Sequence, residues 1–549
     1  MRRTAVGIDL GTTDVFAANV GRKGVEIVQN SVSERRTPAL VSFTPRRRLV
    51  GDAAAPQLKS NYRNSCRGLK HLIGRTFDSP DVEAERLWAL CGLSKADTGD
   101  VGYEVSYRDK PICVSATVCL SMLVTSIVAT CKAWTKMDVR EVVFAIPSYF
   151  TEPMRQACLD AIRIAGVQCL RLLHESTALA LAWRFETQGF EDSTPIIVAF
   201  CSAGHSGLCV AVARYEKGAI SILGEAYDRS VSGQRMDKAI IDIFVESLKK
   251  QGAPDPLASA KSLLKLEEAA TKVKKTISVV DEAKGVAECV VEDFDLSCDV
   301  KRDKFEEACS YMNAAAAECV ARALAAAELT VQDIRQIEVV GGCSRIPFVQ
   351  RALKQAFEGR ELTTSLNADE AVAKGCAWAA AMLSPSVRLA PLPLKESGTP
   401  AVALEWKDCE AVEAEGSEVQ EGGRRRLLVF EAQAGPGAEA EVNVRCRGAL
   451  ELTAVSLVKD GEETILGTWK LDFPGKEMHE VELQCAIDLN GLFSVSKAAV
   501  CTGKEQAEAE AKAAAEVKAK EEEEAKAKAE AEAAVAKEKA EEEAKKAGE

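Results

Sequence analysis

An apolar strand that runs into a tight turn of small residues occurs twice in this sequence, at residues 6–13 and at 196–207. The first copy reads VGIDLGTT and the second reads IIVAFCSAGHSG, so Ser202 stands where the first copy has Asp9. Turns of small residues leave backbone N–H groups open to an anion, and an aspartate beside them can hold Mg²⁺ against phosphates. The pair predicts two facing hairpins that clamp a nucleotide. The acidic residue is present in the first hairpin and missing from the second.

Strand-like runs alternate with helical periods from the N-terminus to about residue 385. Examples of the strands are residues 5–10, 141–146, 195–200 and 336–340. This alternation predicts an α/β layer architecture, because strands that alternate with helices form sheets covered by helices. The repeated hairpin predicts that this region has two similar lobes, each with a mixed sheet and flanking helices.

The composition changes after residue 385, and the change predicts three further segments. A proline-containing stretch at 386–396 cannot continue a helix and is interpreted as a linker. Residues 397–501 carry short alternating runs separated by turn sequences such as Asp460-Gly461 and Asn490-Gly491, which predict a small antiparallel β-sandwich. Residues 502–549 are nearly all Ala, Glu and Lys without an apolar stripe, so they predict a charged tail that is helical or disordered.

Composition excludes several classes of protein. The chain has 549 residues, too many for a single hydrophobic core. A net charge of −13 argues against a nucleic-acid partner, which needs clustered Lys and Arg. The 19 cysteines form no C-x-x-C pair, and most lie in apolar runs, as expected of small hydrophobic residues in a reducing compartment. We find no signal peptide and no apolar run of the ~20 residues that a membrane span needs, so we expect a cytoplasmic protein without membrane contact.

Other candidate binding residues have plain structural alternatives. Gly341 and Gly342 follow an apolar strand and precede a helix at Pro347, which would let a ligand approach the backbone near a helix N-terminus. The alternative is an ordinary strand-to-helix turn. Asp9 alone is equally well explained as a turn aspartate, and Lys70 and Lys274-Lys275 as solvated lysines.

Taken together, the motifs between residue 4 and about residue 385 resemble those of the seventy-kilodalton heat-shock chaperone superfamily. They are residues 9–13 (DLGTT), 36–39 (RTPA), 72–75 (LIGR), 145–150 (AIPSYF), 175–178 (ESTA), 340–342 (VGG), 344–347 (SRIP) and 367–373 (NADEAVA). The sequence is most similar to the large, hundred-and-ten-kilodalton subfamily, because GHS at 204–206 replaces an all-glycine turn and the usual apolar linker is absent.

The resemblance implies a two-lobed, actin-like ATPase domain (a duplicated ribonuclease-H-like fold) over residues 1–385. It also implies site roles. Lys70 would position the attacking water, Glu175 would lie on the metal side of the cleft, and Asp9 would face Mg²⁺ through water. The residues implied to contact the nucleotide are Gly11, Thr12, Thr13, Gly204, His205, Ser206, Lys274, Lys275, Ser278, Gly341, Gly342, Ser344, Arg345 and Asp369.

Three positions depart from the pattern of that superfamily. Ser202 and Cys209 stand where ordinary members have aspartates, and Gly207 stands where they have a catalytic threonine. Phosphoryl transfer depends almost wholly on positioning, and each lost group is worth ~2 to 4 kcal/mol of transition-state stabilisation. We therefore expect hydrolysis to be slower by several orders of magnitude, so that the protein is at most a weak ATPase.

The resemblance implies a chaperone or co-chaperone that binds ATP or ADP, with Mg²⁺, and hydrolyses ATP weakly or not at all. Its partners would be an ordinary heat-shock seventy chaperone, for which it acts as nucleotide exchange factor, and unfolded polypeptides, for which it acts as holdase. The expected compartment is the cytoplasm, with the nucleus as an alternative. Two other functions stay open: an active ATP-hydrolysing folding chaperone with another acid in place of Ser202, and a scaffold that binds no nucleotide.

Overall fold

The computed structural model describes residues 3–187, 195–216, 218–291, 293–387, 389–398, 400–407, 412–420, 423–432, 434–457, 463–473 and 478–500. The chain divides into two compact units. The first unit comprises residues 1–400 with 432–438 and 487–493, and the second unit comprises 401–431, 439–486 and 494–549. The tail predicted for 502–549 lies outside the described residues.

The first lobe of the first unit, residues 3–187, is built on a mixed sheet with the strand order β12-β11-β1-β2-β3, in which β4 also pairs with β2. Its strands are β1 Arg3–Leu10, β2 Asp14–Gly21, β3 Gly24–Ile27, β4 Arg36–Pro38, β5 Val41–Phe43, β6 Arg48–Val50, β7 Ser65–Cys66, β8 Gly92–Lys95, β9 Val101–Tyr107, β10 Lys110–Ser115, β11 Asp138–Ile146 and β12 Gln168–His174. Its helices are α1 Leu69–Leu72, α2 Pro80–Glu85, α3 Ala116–Thr135, α4 Glu152–Ile164 and α5 Glu175–Glu186.

The second lobe, residues 195–387, is built on a sheet with the order β18-β13-β14-β15-β19, whose last strand comes from the segment after the lobe. The strands are β13 Ile196–Ala203, β14 Leu208–Glu216, β15 Ala219–Asp228, β16 Glu282–Val291, β17 Phe294–Lys301, β18 Gln336–Val340 and β19 Leu394–Lys395. The helices are α6 Gly233–Lys250, α7 Ala260–Ile277, α8 Arg302–Ala308, α9 Tyr311–Ala326, α10 Pro347–Ala356 and α11 Ala371–Leu383. Short 3-10 helices in the two lobes are Gly51–Ala53, Ala55–Gln57, Tyr62–Asn64, Val331–Asp333 and Gly342–Arg345.

The two sheets repeat one pattern of strand pairing, and the predicted mixed α/β architecture is confirmed. β1 is antiparallel to β2 and parallel to β11, as β13 is antiparallel to β14 and parallel to β18. Both central strands are apolar and buried almost throughout, as expected of strands covered on both faces. A parallel bridge between Glu338 and Thr363 stands beside β18 where β12 stands beside β11.

Two helices fill the space between the sheets. α5 and α11 contribute to a core cluster that also contains buried residues of β11 and β13. Their backbones meet at Gly375, where an added Cβ would lie 1.8 Å from the carbonyl oxygen of Ala178. α11 also touches β1 at Gly7, where a Cβ would lie 2.2 Å from the nitrogen of Ala377. The glycines therefore set how closely the two sheets approach each other.

Helix α3 corrects the expectation that no apolar run is as long as a membrane span. With 20 residues and a mean hydropathy of 1.6 it is long and apolar enough to cross a membrane, by length and composition. Half of it is buried inside the protein, and its buried residues, such as Leu120 and Ile127, belong to the core of the first lobe. Hydrophobic residues around most of a helix are also what a covered core helix requires.

The described part of the second unit consists of antiparallel strands in two sheets. One sheet has the order β22-β23-β20-β25-β26, and the other has the order β21-β24-β27-β28. The strands are β20 Ala401–Lys407, β21 Val412–Glu413, β22 Glu418–Gln420, β23 Arg424–Phe430, β24 Glu439–Cys446, β25 Gly448–Leu457, β26 Glu463–Phe473, β27 His479–Ile487 and β28 Phe493–Val500. Burial alternates along β24 and β27, so each presents one face to a core.

Candidate functional site

A cleft of about 700 Å³ lies in the first unit, and residues of both lobes line it. This volume is in the usual range for a small-molecule site. The predicted residues on its wall are Asp9, Gly11, Thr12, Thr13, Lys70, Glu175, Ser202, Gly204, His205, Ser206, Gly207, Cys209, Lys274, Lys275, Ser278, Gly341, Gly342, Arg345 and Asp369. Ser344 is placed elsewhere: it is buried and lines a neighbouring depression.

The two hairpin turns are built alike. The N–H of Gly11 donates to the carbonyl of Asp14 at 3.0 Å, and the N–H of Gly204 donates to the carbonyl of Gly207 at 2.9 Å. Asp9 and Ser202 therefore occupy equivalent positions, each two residues before the turn glycine. The second turn is held by the start of α6, because the N–H of Gly233 donates to the carbonyl of Gly204.

A third glycine turn completes the cleft. Gly341 follows β18 with φ +86, and a Cβ there would lie 2.4 Å from the carbonyl oxygen of Ala203. Only glycine combines this backbone conformation with so close an approach. The turn after β18 is thereby held against the end of β13, beside the second hairpin.

Three charged groups meet at one end of the cleft. Lys70, on α1, donates to the carboxylate of Glu175, which is the first residue of α5. Burial lowers the pKa of Lys70, but the carboxylates of Glu175 and Asp9 more than offset this, so the ammonium is retained at neutral pH. Burial raises the pKa of Asp9 to about 7, against the lowering effect of Lys70. This end of the cleft thus offers a fixed cation and a carboxyl group that titrates near neutrality.

The second hairpin presents neutral groups where the first presents an acid. Ser202 and Cys209 are cross-strand partners of β13 and β14. The thiol of Cys209 donates to Glu225 Oε1 at 3.2 Å, and burial together with that carboxylate raises the pKa of Cys209 well above its usual value. Glu225 also accepts hydrogen bonds from Ser176 and Ser397, and it does not line the cleft. Its carboxylate therefore does not replace an aspartate at position 202.

Basic and polar groups line the opposite end. Lys274 on α7 donates to Asp237 Oδ2 at 2.8 Å and to the carbonyl of Gly233 at 3.1 Å, so its charge is neutralised. Lys275 is exposed at the C-terminus of the same helix. Arg345 forms a two-point ion pair with Asp369, at 3.2 and 2.7 Å. A planar guanidinium held in this way can stack on a heterocyclic base.

His205 is a neutral part of the second turn. Burial and the nearby Lys274 ammonium lower the pKa of His205 to about 3, so the imidazole is uncharged at pH 7. Its Nδ1 lies 4.0 Å from Asp237 Oδ2. His205 therefore adds no positive charge to this part of the cleft.

Sequence reasoning missed several cleft residues. They are Asp14, Arg36, Tyr227, Asp237, Glu267 and Thr271. Asp14 accepts a hydrogen bond from Thr13 at 3.0 Å. Because it directly follows the DLGTT motif at residues 9–13, it could have been predicted from the sequence. Asp237 and Tyr227 come from α6 and the end of β15, and only the fold brings them to the cleft.

The acids of the cleft fit a magnesium ion that is held mainly by a ligand's phosphates. In the part of the chain that the structure describes, no group of three or more His, Cys, Asp or Glu side chains is arranged to hold a metal. Asp9 and Glu175 provide carboxylates at the Lys70 end. Mg²⁺ is commonly bound through one or two carboxylates plus phosphates and water, so this sparse set suffices.

Comparisons with known proteins agree on one family. The model of the Hsp70 protein family matches residues 5–549. The chain is 31% identical over 502 residues to a heat shock protein homolog of the yeast Lachancea kluyveri, covering 90% of this chain and 71% of that protein. It is 31% identical over 512 residues to heat shock 70 kDa protein 4 of Rattus norvegicus, covering 90% and 59%, and 35% identical over 407 residues to heat shock protein hsp88 of Neurospora crassa, covering 74% and 57%.

The chain therefore spans between 57% and 71% of the length of these three relatives.

Proposed function

The chain belongs to the Hsp70 protein family, and from this premise we propose that it binds ATP or ADP and hydrolyses ATP weakly or not at all. One observation carries the proposal. The cleft keeps the glycine turns and the Lys70–Glu175 pair, whereas the second hairpin has only neutral groups, at Ser202, Cys209 and Gly207. The site therefore retains groups that can bind a nucleotide and lacks the acidic groups that would position a water molecule for hydrolysis.

We further propose that residues 1–385 form an actin-like, duplicated ribonuclease-H-like domain. The repeated strand order of the two sheets and the cleft lined by both lobes support this assignment. Residues 386–396 would then be the linker, 397–501 a β-sandwich of the substrate-binding type, and 502–549 a charged tail. The two antiparallel sheets of the second unit support the β-sandwich.

Different residues of the cleft would bind different parts of the nucleotide. The N–H groups of the turns beginning at Gly11 and Gly204 orient phosphate oxygens, and Lys70 neutralises their charge. Asp9, once deprotonated, would hold Mg²⁺ on the phosphates, and the ion would supply further charge neutralisation. Lys275, Ser278 and Arg345 would contact the ribose and the base at the far end.

We expect weak hydrolysis because the second hairpin lacks groups that would hold the attacking water. An attacking water must be held in line with the terminal phosphate by groups that accept its protons. Ser202 is a weak acceptor, the Cys209 thiol is neutral and donates to Glu225, and Gly207 has no side chain. Because each missing group is worth ~2 to 4 kcal/mol, we expect at most a weak ATPase.

Such a protein would act by binding. We propose that it is a chaperone of the heat-shock seventy system that accelerates nucleotide exchange on an ordinary Hsp70 and holds unfolded polypeptide, in the cytoplasm or the nucleus. The three relatives quoted above are named heat shock proteins, which supports the chaperone assignment.

The exchange activity is tested by following release of a fluorescent ADP analogue from a cytosolic Hsp70. We expect this chain to accelerate release, and we expect Lys275→Glu to weaken the effect at limiting ATP, because it puts a negative charge in the base end of the cleft. Lys272→Glu is the matched control, since Lys272 is an exposed lysine of α7 outside the cleft. An unchanged release rate with the wild-type chain would contradict the exchange function.

A further inference from the structure

One tyrosine lines the cleft at a position that no nucleotide contact predicted from the sequence includes, and a second tyrosine packs behind it. Tyr227, near the end of β15, lines the cleft, and its ring packs on Tyr149 with the centroids 4.2 Å apart and the planes inclined by 31°. The Tyr227 hydroxyl donates to the carbonyl of Ser206 at 2.9 Å. Tyr149 in turn packs edge-on against Phe150, with the centroids 5.6 Å apart. Aromatic contacts and a hydrogen bond therefore hold the Tyr227 ring in one place.

The ring occupies the space that a side chain at position 207 would need. A Cβ on Gly207 would lie 2.6 Å from Tyr227 Oη and 2.7 Å from Tyr227 Cε2. The backbone carbonyl oxygen of Asp228 would lie at 2.7 Å as well. Real Cβ atoms do not come this close to other atoms, so the tyrosine and the backbone of its own strand together occupy the space that a side chain at 207 would need.

The tyrosine stands at the phosphate end of the cleft. Its hydroxyl donates to the carbonyl of Ser206 in the second turn, whose N–H groups we propose to orient phosphate oxygens. Asp9, beside the first turn, lines the same cleft as Lys70 and Glu175. Lys275 at the C-terminus of α7 and the Arg345–Asp369 pair mark the proposed base end. A nucleotide with its base at Lys275 would point its last phosphate toward Lys70 and Tyr227.

We propose that Tyr227, backed by Tyr149, shortens the phosphate end of the cleft, so that the site selects a nucleoside diphosphate over the triphosphate. The inference rests on the proposed nucleotide binding and names the ligand that the site prefers. A third phosphate would meet the ring, which has no positive charge to bind it and is held in place by Tyr149 and by the carbonyl of Ser206. Tyr227 is in this sense a specificity-determining residue.

The test is calorimetric titration of the full chain with ADP and with ATP, each in the presence of Mg²⁺. We expect the wild-type chain to bind ADP at least about tenfold more tightly than ATP, which corresponds to about 1.4 kcal/mol. Tyr227→Ala should bring the ratio of the two affinities toward one through a gain in ATP affinity. Tyr227→Phe keeps the ring and should keep the preference.

Tyr311→Ala is the control, because Tyr311 is half exposed at the start of α9 and does not line the cleft. Equal affinity for ADP and ATP in the wild-type chain, or equal changes in both affinities in Tyr227→Ala, would overturn the proposal. The wild-type ratio decides the matter even when Tyr227→Ala does not fold. Absence of binding of either nucleotide would instead contradict the proposed function itself.

Discussion

The thiol of Cys209 donates its hydrogen bond to Glu225, and this contact decides what an acid at position 209 would meet. Ser202, its cross-strand partner, lines the open cleft and is half-buried. The two substitutions that would restore aspartates are therefore not equivalent. Both positions line the cleft and are half-buried, but an aspartate at 209 would lie against a second carboxylate, Glu225, that is already bound to Ser176 and Ser397.

We predict that Cys209→Asp destabilises the protein by roughly 1–3 kcal/mol, because it buries a like-charged pair and removes the donor to Glu225. Ser202→Asp should change the free energy of unfolding by less than about 1 kcal/mol. Urea denaturation measures both. Adding Glu225→Gln to Cys209→Asp should recover most of the loss, since it removes the repulsion. Equal stability of the two single variants would show that Glu225 is not the obstacle.

Asp9 gives a prediction for the dependence of stability on pH. Its pKa in the folded protein is about 7, above the ordinary value of 3.8, because burial disfavours the charged form. Between these values the folded state keeps a proton that the unfolded chain releases, so stability falls as pH rises from about 4 to about 7. We predict that Asp9→Asn removes this fall.

The measurement is thermal denaturation of both proteins at several pH values, without nucleotide and with a chelator. The advantage of Asp9→Asn should grow up to about pH 7 and then stay constant. An advantage that is largest at pH 4 would contradict the raised pKa of Asp9.

At the scale of elements, helix α11 sets the spacing of the two sheets through Gly375 and its contact with β1 at Gly7. Because the nearest atoms at Gly375 are backbone atoms of Ala178, no side-chain rotation can relieve an added methyl group there. The helices α5 and α11 would have to move apart, and the lobes would move with them.

We therefore predict that Gly375→Ala destabilises the protein by roughly 1–3 kcal/mol or more, as overpacking of a core does. Gly21→Ala is the matched control at the end of β2, where a Cβ would meet its nearest atoms only at 3.8 and 3.9 Å. Chemical denaturation of the two variants beside the wild type makes the comparison. A Gly375→Ala protein as stable as the Gly21→Ala protein would contradict the close helix contact.

The elements also show where prediction from sequence ends. The hairpins at Gly11 and Gly204 could be predicted, because a strand and its turn are encoded in adjacent residues. Glu225, Tyr227 and Asp237 reach the site region only through strand pairing and helix packing, which no local pattern encodes.

At the scale of the molecule, the alternation of strands and helices predicted the architecture of the first unit, since every central strand is an apolar run with a clear end. The roles of the residues around the cleft remain a proposal, and they follow from one contrast. The first hairpin carries Asp9 beside Lys70 and Glu175, and the second carries neutral groups beside a tyrosine. We infer from this contrast that the cleft binds a nucleotide and leaves it intact.

Single-turnover hydrolysis tests this claim most directly, with the full chain in excess over a trace of radiolabelled ATP and with Mg²⁺ present, so that every ATP molecule is bound. We predict that the bound ATP is recovered unhydrolysed over the time in which an ordinary Hsp70 completes its turnover, with a rate lower by on the order of 10³-fold. Hydrolysis within about tenfold of the ordinary Hsp70 would contradict the account, because it would require another group to position the water.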